Sequence, residues 1–169
     1  MQTGDQSCLP GGPVTVTASP SAVVALGAED LKSLLREAWE TVLESPLWAP
    51  EDAEPGLFDV SASISITGDV NLTVTLEATD QVVETCAVTM LGLEPDELSP
   101  EDVLDAFGEM ANIVGGGVKS RVADAARLGL PTVVRGAGLR TTIPGAEPAG
   151  SVLLVGAAGP VRASIWRQR

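Results

Sequence analysis

The segment "FDVSASISITGDVNLTVTLEA", residues 58–78, leaves the backbone little freedom. Phe58, Val60, Ala62, Ile64 and Ile66 alternate with Ser and Thr, "GDVN" supplies a turn, and Leu72, Val74 and Leu76 resume the alternation. Successive side chains of a strand point to opposite faces, so this pattern predicts a β-hairpin with one buried face. A sheet with one apolar face needs a covering layer, which the rest of the chain must supply.

Three segments have the period to do so. In "AEDLKSLLREAWETVLES" Leu31, Leu34, Leu35, Ala38, Val42 and Leu43 recur at helical spacing, with Trp39 beside the stripe as a core or interface residue. "DQVVETCAVTMLG" returns to that spacing through Val82, Val83, Cys86, Ala87, Met90 and Leu91, which makes Cys86 a packed thiol rather than a nucleophile. The third helix follows "LEPDELSP". Ser99 is a suitable cap, Pro100 suits the first helical position, and Glu101 and Asp102 suit the positive end of the helix dipole.

Beyond it, "LPTVVRG", "LRTTIP", "GSVLLVGAA" and "PVRASIWRQR" read as three or four short strands joined by Gly and Pro turns. The order of elements predicts a mixed α/β chain of the α+β kind, a two-layer sandwich with long helices packed on an antiparallel sheet. Residues 1–25, rich in Gly, Pro, Ser and Thr, read as a flexible lead-in in which "PVTVT" could pair as an edge strand. Residues 26–169 form one domain, with "PLWAPEDAEPG" as an internal loop. Helix followed by strands occurs twice, as a degenerate duplication would leave it.

Composition removes whole classes of function. The formal net charge is −13 and aromatics are 3% of residues, so neither phosphate backbones nor stacked bases find a suitable surface, and nucleic acid is excluded as a partner. The chain has no His, which removes imidazole catalysis and nearly all common zinc sites. Cys8 and Cys86 make no disulfide framework. The start "MQTGDQSCLPGG" is not a secretory signal, and "SVLLVGAAGPV" is too short to span a bilayer, so a cytoplasmic protein without membrane insertion is expected. Charge is divided along the chain: residues 1–118 hold 21 acidic and 2 basic residues, residues 119–169 hold 2 acidic and 8 basic. The two parts should attract each other, within a subunit or between subunits.

The candidate site lies on the third helix, in "EDVLDAFGEMANIVGGGVKS". At about 100° per residue, Val103, Phe107, Met110 and Val114 form a buried stripe, while Asp105, Glu109 and Asn112 fall within roughly 60° of one another on the exposed side, with Gly116 in line. Asp105 alone would be an ordinary solvated acid. Three consecutive glycines are harder to dismiss, since each costs a helix about 0.8–1 kcal/mol relative to Ala. Val118 and Val122 keep the helical spacing, so the helix is expected to continue through the glycines because something approaches closely there.

The stretch "EMANIVGG" with Asp105 four residues ahead resembles the motif of the chemotaxis phosphatase family typified by CheX and CheC, in which an acid or Ser precedes a Glu by four and an Asn follows the Glu by three. Gly116 and Pro131, which opens a strand, also resemble the family, and the 18 residues between Asn112 and Pro131 make the pattern closer to CheX or a divergent relative than to CheC. The first helix offers Glu37 and Glu40 at the spacing but lacks the Asn, so one site per chain is expected.

The resemblance implies hydrolysis of the aspartyl phosphate of a phosphorylated response-regulator receiver domain. Asn112 would position the attacking water, and Glu109 would pair with a receiver lysine. Asp105 and Gly116 would serve docking; separately, the acidity around the site requires docking contacts from Lys119, Arg121 or the later strands to offset it. The resemblance implies no metal or cofactor of the protein's own, Mg²⁺ being supplied by the receiver, and it allows a homodimer. Two other readings compete: a noncatalytic receiver-binding or oligomerisation module of the same fold, and a structural protein that self-associates through its sheet.

Overall fold

A computed structural model describes residues 26–50, 56–122 and 125–169. The expected lead-in, with "PVTVT" and Cys8, lies outside the described residues. The elements are α1 (Ala28–Leu43), β1 (Phe58–Thr67), β2 (Leu72–Ala78), α2 (Asp80–Leu91), α3 (Pro100–Val122), β3 (Arg127–Leu128), β4 (Thr132–Leu139), β5 (Ala146–Gly156) and β6 (Gly159–Gln168). The strands form one antiparallel sheet in the order β3-β1-β2-β6-β5. β4 shares the outer edge of β1 with β3, taking the Phe58–Ser63 end while β3 takes Ile66 and Thr67.

The alternation that predicts the hairpin also sets its register. Val60 lies opposite Ala78, Ala62 opposite Leu76, Ile64 opposite Val74 and Ile66 opposite Leu72, so apolar residues share one face. β6 extends that face by setting Ile165, Ala163 and Val161 against Val74, Leu76 and Ala78. The three helices cover it, α3 over β1 and its neighbours and α1 over β5 and β6, with α2 reaching both β1 and β6. Trp39 and Cys86 are buried in this core, as their spacing predicts.

Three details differ from expectation. β2 is buried on both faces, not one. On the side away from the helices, Trp166 Nε1 donates to Thr75 Oγ1 at 3.0 Å, Arg162 Nη1 to Glu77 Oε2 at 3.3 Å, and the Thr141 N–H to Glu77 Oε1 at 3.3 Å. "LRTTIP" does not form a strand of its own: β4 ends at Leu139, and Thr141 continues to Ser61, with the two hydroxyls 2.7 Å apart. The two-residue β3 is too short to leave a periodic trace.

α3 does run through the three glycines. The close approach at two of them is internal. A Cβ on Gly115 would stand 2.6 Å from Ile64 Cγ2, and one on Gly117 2.6 Å from Leu34 Cδ2, so the helix seats against β1 and α1 at a depth that side chains would forbid. Gly116 has no neighbour within 4 Å of an added Cβ, and nothing in the fold requires it to be glycine.

The two positions should respond oppositely to alanine. Gly115→Ala drives a methyl into a β-branched side chain on a strand and is expected to destabilise by about 1–2 kcal/mol net. Gly116→Ala is expected to stabilise by up to about 1 kcal/mol through helix propensity alone. Urea denaturation of both variants checks this; a loss of stability in Gly116→Ala would mean that the position has an internal constraint.

Candidate functional site

The start of α3 is set by a reciprocal cap. The Asp102 N–H donates to Ser99 Oγ at 3.1 Å, while the Ser99 N–H and hydroxyl donate to Asp102 Oδ2 at 2.9 and 2.6 Å. These bonds to Ser99 hold the Asp102 carboxyl below the usual carboxylate range. The helix is thereby anchored at its first turn and by Gly115 near its end, which fixes the side chains between them.

Val103, Phe107, Met110 and Val114 point into the core. Asp105 and Glu109 are exposed on the other side, and Asn112 and Gly116 are half-buried in line with them. Asn112 Nδ2 donates to Glu109 Oε2 at 3.3 Å, so the carboxylate fixes the orientation of the amide. Only the NH₂ end of an amide can serve a carboxylate, which leaves Oδ1 to face other groups.

Glu101, Asp105 and Glu109 recur every four residues, a like-charge spacing that costs a helix a few tenths of a kcal/mol per pair. Among the described residues none of these three has a basic partner within salt-bridge distance, whereas Glu77, Asp80 and Glu84 are all paired with arginines. The line is therefore a run of uncompensated carboxylates ending in a carboxamide.

The two basic residues expected to serve docking have different surroundings. Lys119 is half-buried one turn beyond Gly116, and at 100° per residue it continues the same line. Arg121 lies on another flank, where Nη1 donates to the Asp30 carbonyl at 3.1 Å and ties α3 to the start of α1. Glu37 and Glu40 are exposed on α1. Among the described residues no three Cys, Asp or Glu side chains converge as a metal site, and no helix is long and apolar enough to cross a membrane.

A family model described as chemotaxis phosphatase CheX matches residues 60–154, more than half of the chain. The chain belongs to the CheX family. Its fold is that of solved CheX proteins: the one from Vibrio vulnificus superposes with a TM-score of 0.69 at 20% identity, over 89% of this chain and 99% of that one. CheX from Desulfovibrio desulfuricans gives 0.66 at 18% identity, over 83% and 98%. A CheX-CheY-BeF3-Mg complex from Borrelia burgdorferi gives 0.61 at 15% identity, over 83% and 97%. No curated protein matches the chain in sequence.

This CheX domain has a concavity away from the acidic line. It is small and mainly apolar, enclosed by Trp39 and Leu43 of α1, Val82 and Cys86 of α2, and the β5–β6 turn. Burial pushes the Cys86 thiol from its ordinary 9.0 up to about 12. Between those values the unfolded chain loses the proton and the native chain keeps it, so this residue contributes nothing below pH 9 and favours unfolding as pH rises above it. The expected effect is up to roughly 1.4 kcal/mol per pH unit. Denaturant midpoints from pH 8 to 11 should fall more steeply for the wild type than for Cys86→Ala; parallel slopes would contradict the burial.

Proposed function

We propose that this CheX-family protein hydrolyses the aspartyl phosphate of a phosphorylated receiver domain, with Glu109 and Asn112 acting as a pair. The observation that carries the reading is the bond from Asn112 Nδ2 to Glu109 Oε2, which presents an oriented carboxamide on a rigid helix beside unpaired carboxylates. The family is described as a chemotaxis phosphatase, and a structural neighbour is a CheX bound to CheY with beryllium fluoride and magnesium.

The chemistry asks little of the protein. Water attacks phosphorus, the bond from phosphorus to the aspartyl oxygen breaks, and inorganic phosphate leaves a free carboxylate on the receiver. An acyl phosphate is already labile, so holding the water in line supplies most of what is needed. Asn112 is neutral and can approach an anionic phosphoryl group where a carboxylate would be repelled. Glu109 would pair with a lysine of the receiver, which supplies the basic partner its own chain withholds. Mg²⁺ would arrive with the receiver and offset charge on the phosphoryl oxygens. Bare backbone at Gly116 gives the partner room, and Asp105 and Lys119 border the contact.

Decay of a phosphorylated receiver from the same cell is the direct assay. Asn112→Ala is expected to lower kcat by about 100-fold or more with the fold retained. Glu109→Ala should lower kcat and also raise KM, because it both orients Asn112 and meets the partner. A receiver that binds but decays at the same rate with and without the protein would make this a noncatalytic module.

Reversing the charge at Lys119 tests the geometry of docking. Lys119→Glu adds a fourth acid to the line and is expected to weaken receiver binding severalfold, more so at low salt. Titration at two ionic strengths checks it, and an unchanged affinity would place Lys119 outside the contact.

A further inference from the structure

The connection between β3 and β4 carries a feature that hydrolysis leaves unexplained. Leu130 is 89% exposed, the highest value among the exposed large apolar side chains of the described residues. Single exposed leucines are ordinary. This one is presented by a backbone that is pinned on both sides.

On one side, the Gly129 N–H donates to Ser65 O at 2.8 Å, and a Cβ there would collide with Ser65 Oγ. On the other, Pro131 and Val133 lie over Gly108 of α3, where an added Cβ would be 3.6 Å from Pro131 Cγ and 3.2 Å from Val133 Cγ2. Leu128 packs against Gly115, with its Cδ1 3.3 Å from an added Cβ. The chain therefore passes α3 between Gly115 and Gly108, a span of about 10 Å of helix centred near Asn112. A shallow groove lined by Leu104, Gly108, Pro131 and Val133, with Glu101 and Asp105 on its rim, follows the same flank.

We propose that Leu130 and this groove are the apolar half of the docking surface for the phosphorylated receiver, Glu109 and Asn112 being the polar half; this rests on the reading above. The occupant is an apolar side chain of the receiver bordering its phosphoaspartate. Charge favours that occupant chemistry. The phosphoryl group is anionic, the adjoining helix line carries three acids and one lysine, and the chain as a whole is at −13, so long-range attraction cannot supply the affinity. Desolvated apolar contact beside the line can. A second copy of this chain is the less suitable occupant, because it would bring two acidic lines together.

The test is a titration of the full chain with the receiver held in its active form by beryllium fluoride and Mg²⁺, which reads binding without hydrolysis. Leu130→Ala is expected to raise Kd about tenfold, about 1.4 kcal/mol, and Leu130→Asp further. In turnover, KM should rise in parallel with kcat unchanged, the opposite of Asn112→Ala. Urea midpoints equal to wild type confirm that both Leu130 variants are folded. Kd values within twofold of wild type overturn the proposal, as does self-association that changes in Leu130→Asp while receiver affinity does not. If the wild type binds the receiver but does not hydrolyse its phosphate, catalysis fails and Leu130 is still judged by Kd; if it does not bind at all, both fall.

Discussion

The helical layer depends on how closely α3 lies on β1. Gly115 sits against Ile64 at a separation that excludes even a methyl group, and this seat lets Phe107, Met110 and Val114 fill the space between helix and sheet. The same seating decides which side of α3 faces out. The three glycines thus combine two internal contacts with one bare outward position, and a helix of ordinary propensity would have neither.

Charge is handled differently in different parts of the molecule. The acidic first part and the basic last part meet within the subunit, Glu77 with Arg162 and Asp80 and Glu84 with Arg135. Glu77 is buried, and a buried ion pair is tolerable only where further hydrogen bonds satisfy it; the Thr141 N–H supplies one. On α3 the acids are left uncompensated.

The hairpin and the α3 line were legible because each is governed by one period, two for strands and 3.6 for helices. The seating of Gly115 was not, since the period shows that a glycine interrupts a helix but not which strand approaches it. "LRTTIP" has the composition of a strand, yet its polar groups turn to Ser61 and Glu77, partners 80 and 64 positions away in sequence. The second buried face of β2 was hidden for the same reason: Thr75 and Glu77 look solvated until Trp166 and Arg162 are brought beside them. Lys119 and Arg121 look equivalent in sequence, and only the bond from Arg121 to Asp30 tells them apart. The spacing of Glu109 and Asn112 could be read directly, whereas the chemistry assigned to them came from the family resemblance.

β6, last of the described strands, lies in the interior of the sheet between β2 and β5. Until it arrives, β2 presents an open edge with Leu72, Val74 and Leu76 on its apolar face, the kind of template on which chains misassemble. Synthesis reaches β6 only after every other described element has been made, so the sheet cannot close around β2 before residues 159–168 are in place. Such long-range pairing is slow to form and leaves a nascent edge exposed. β2 therefore keeps that edge open for the whole interval in which residues 79–158 are added.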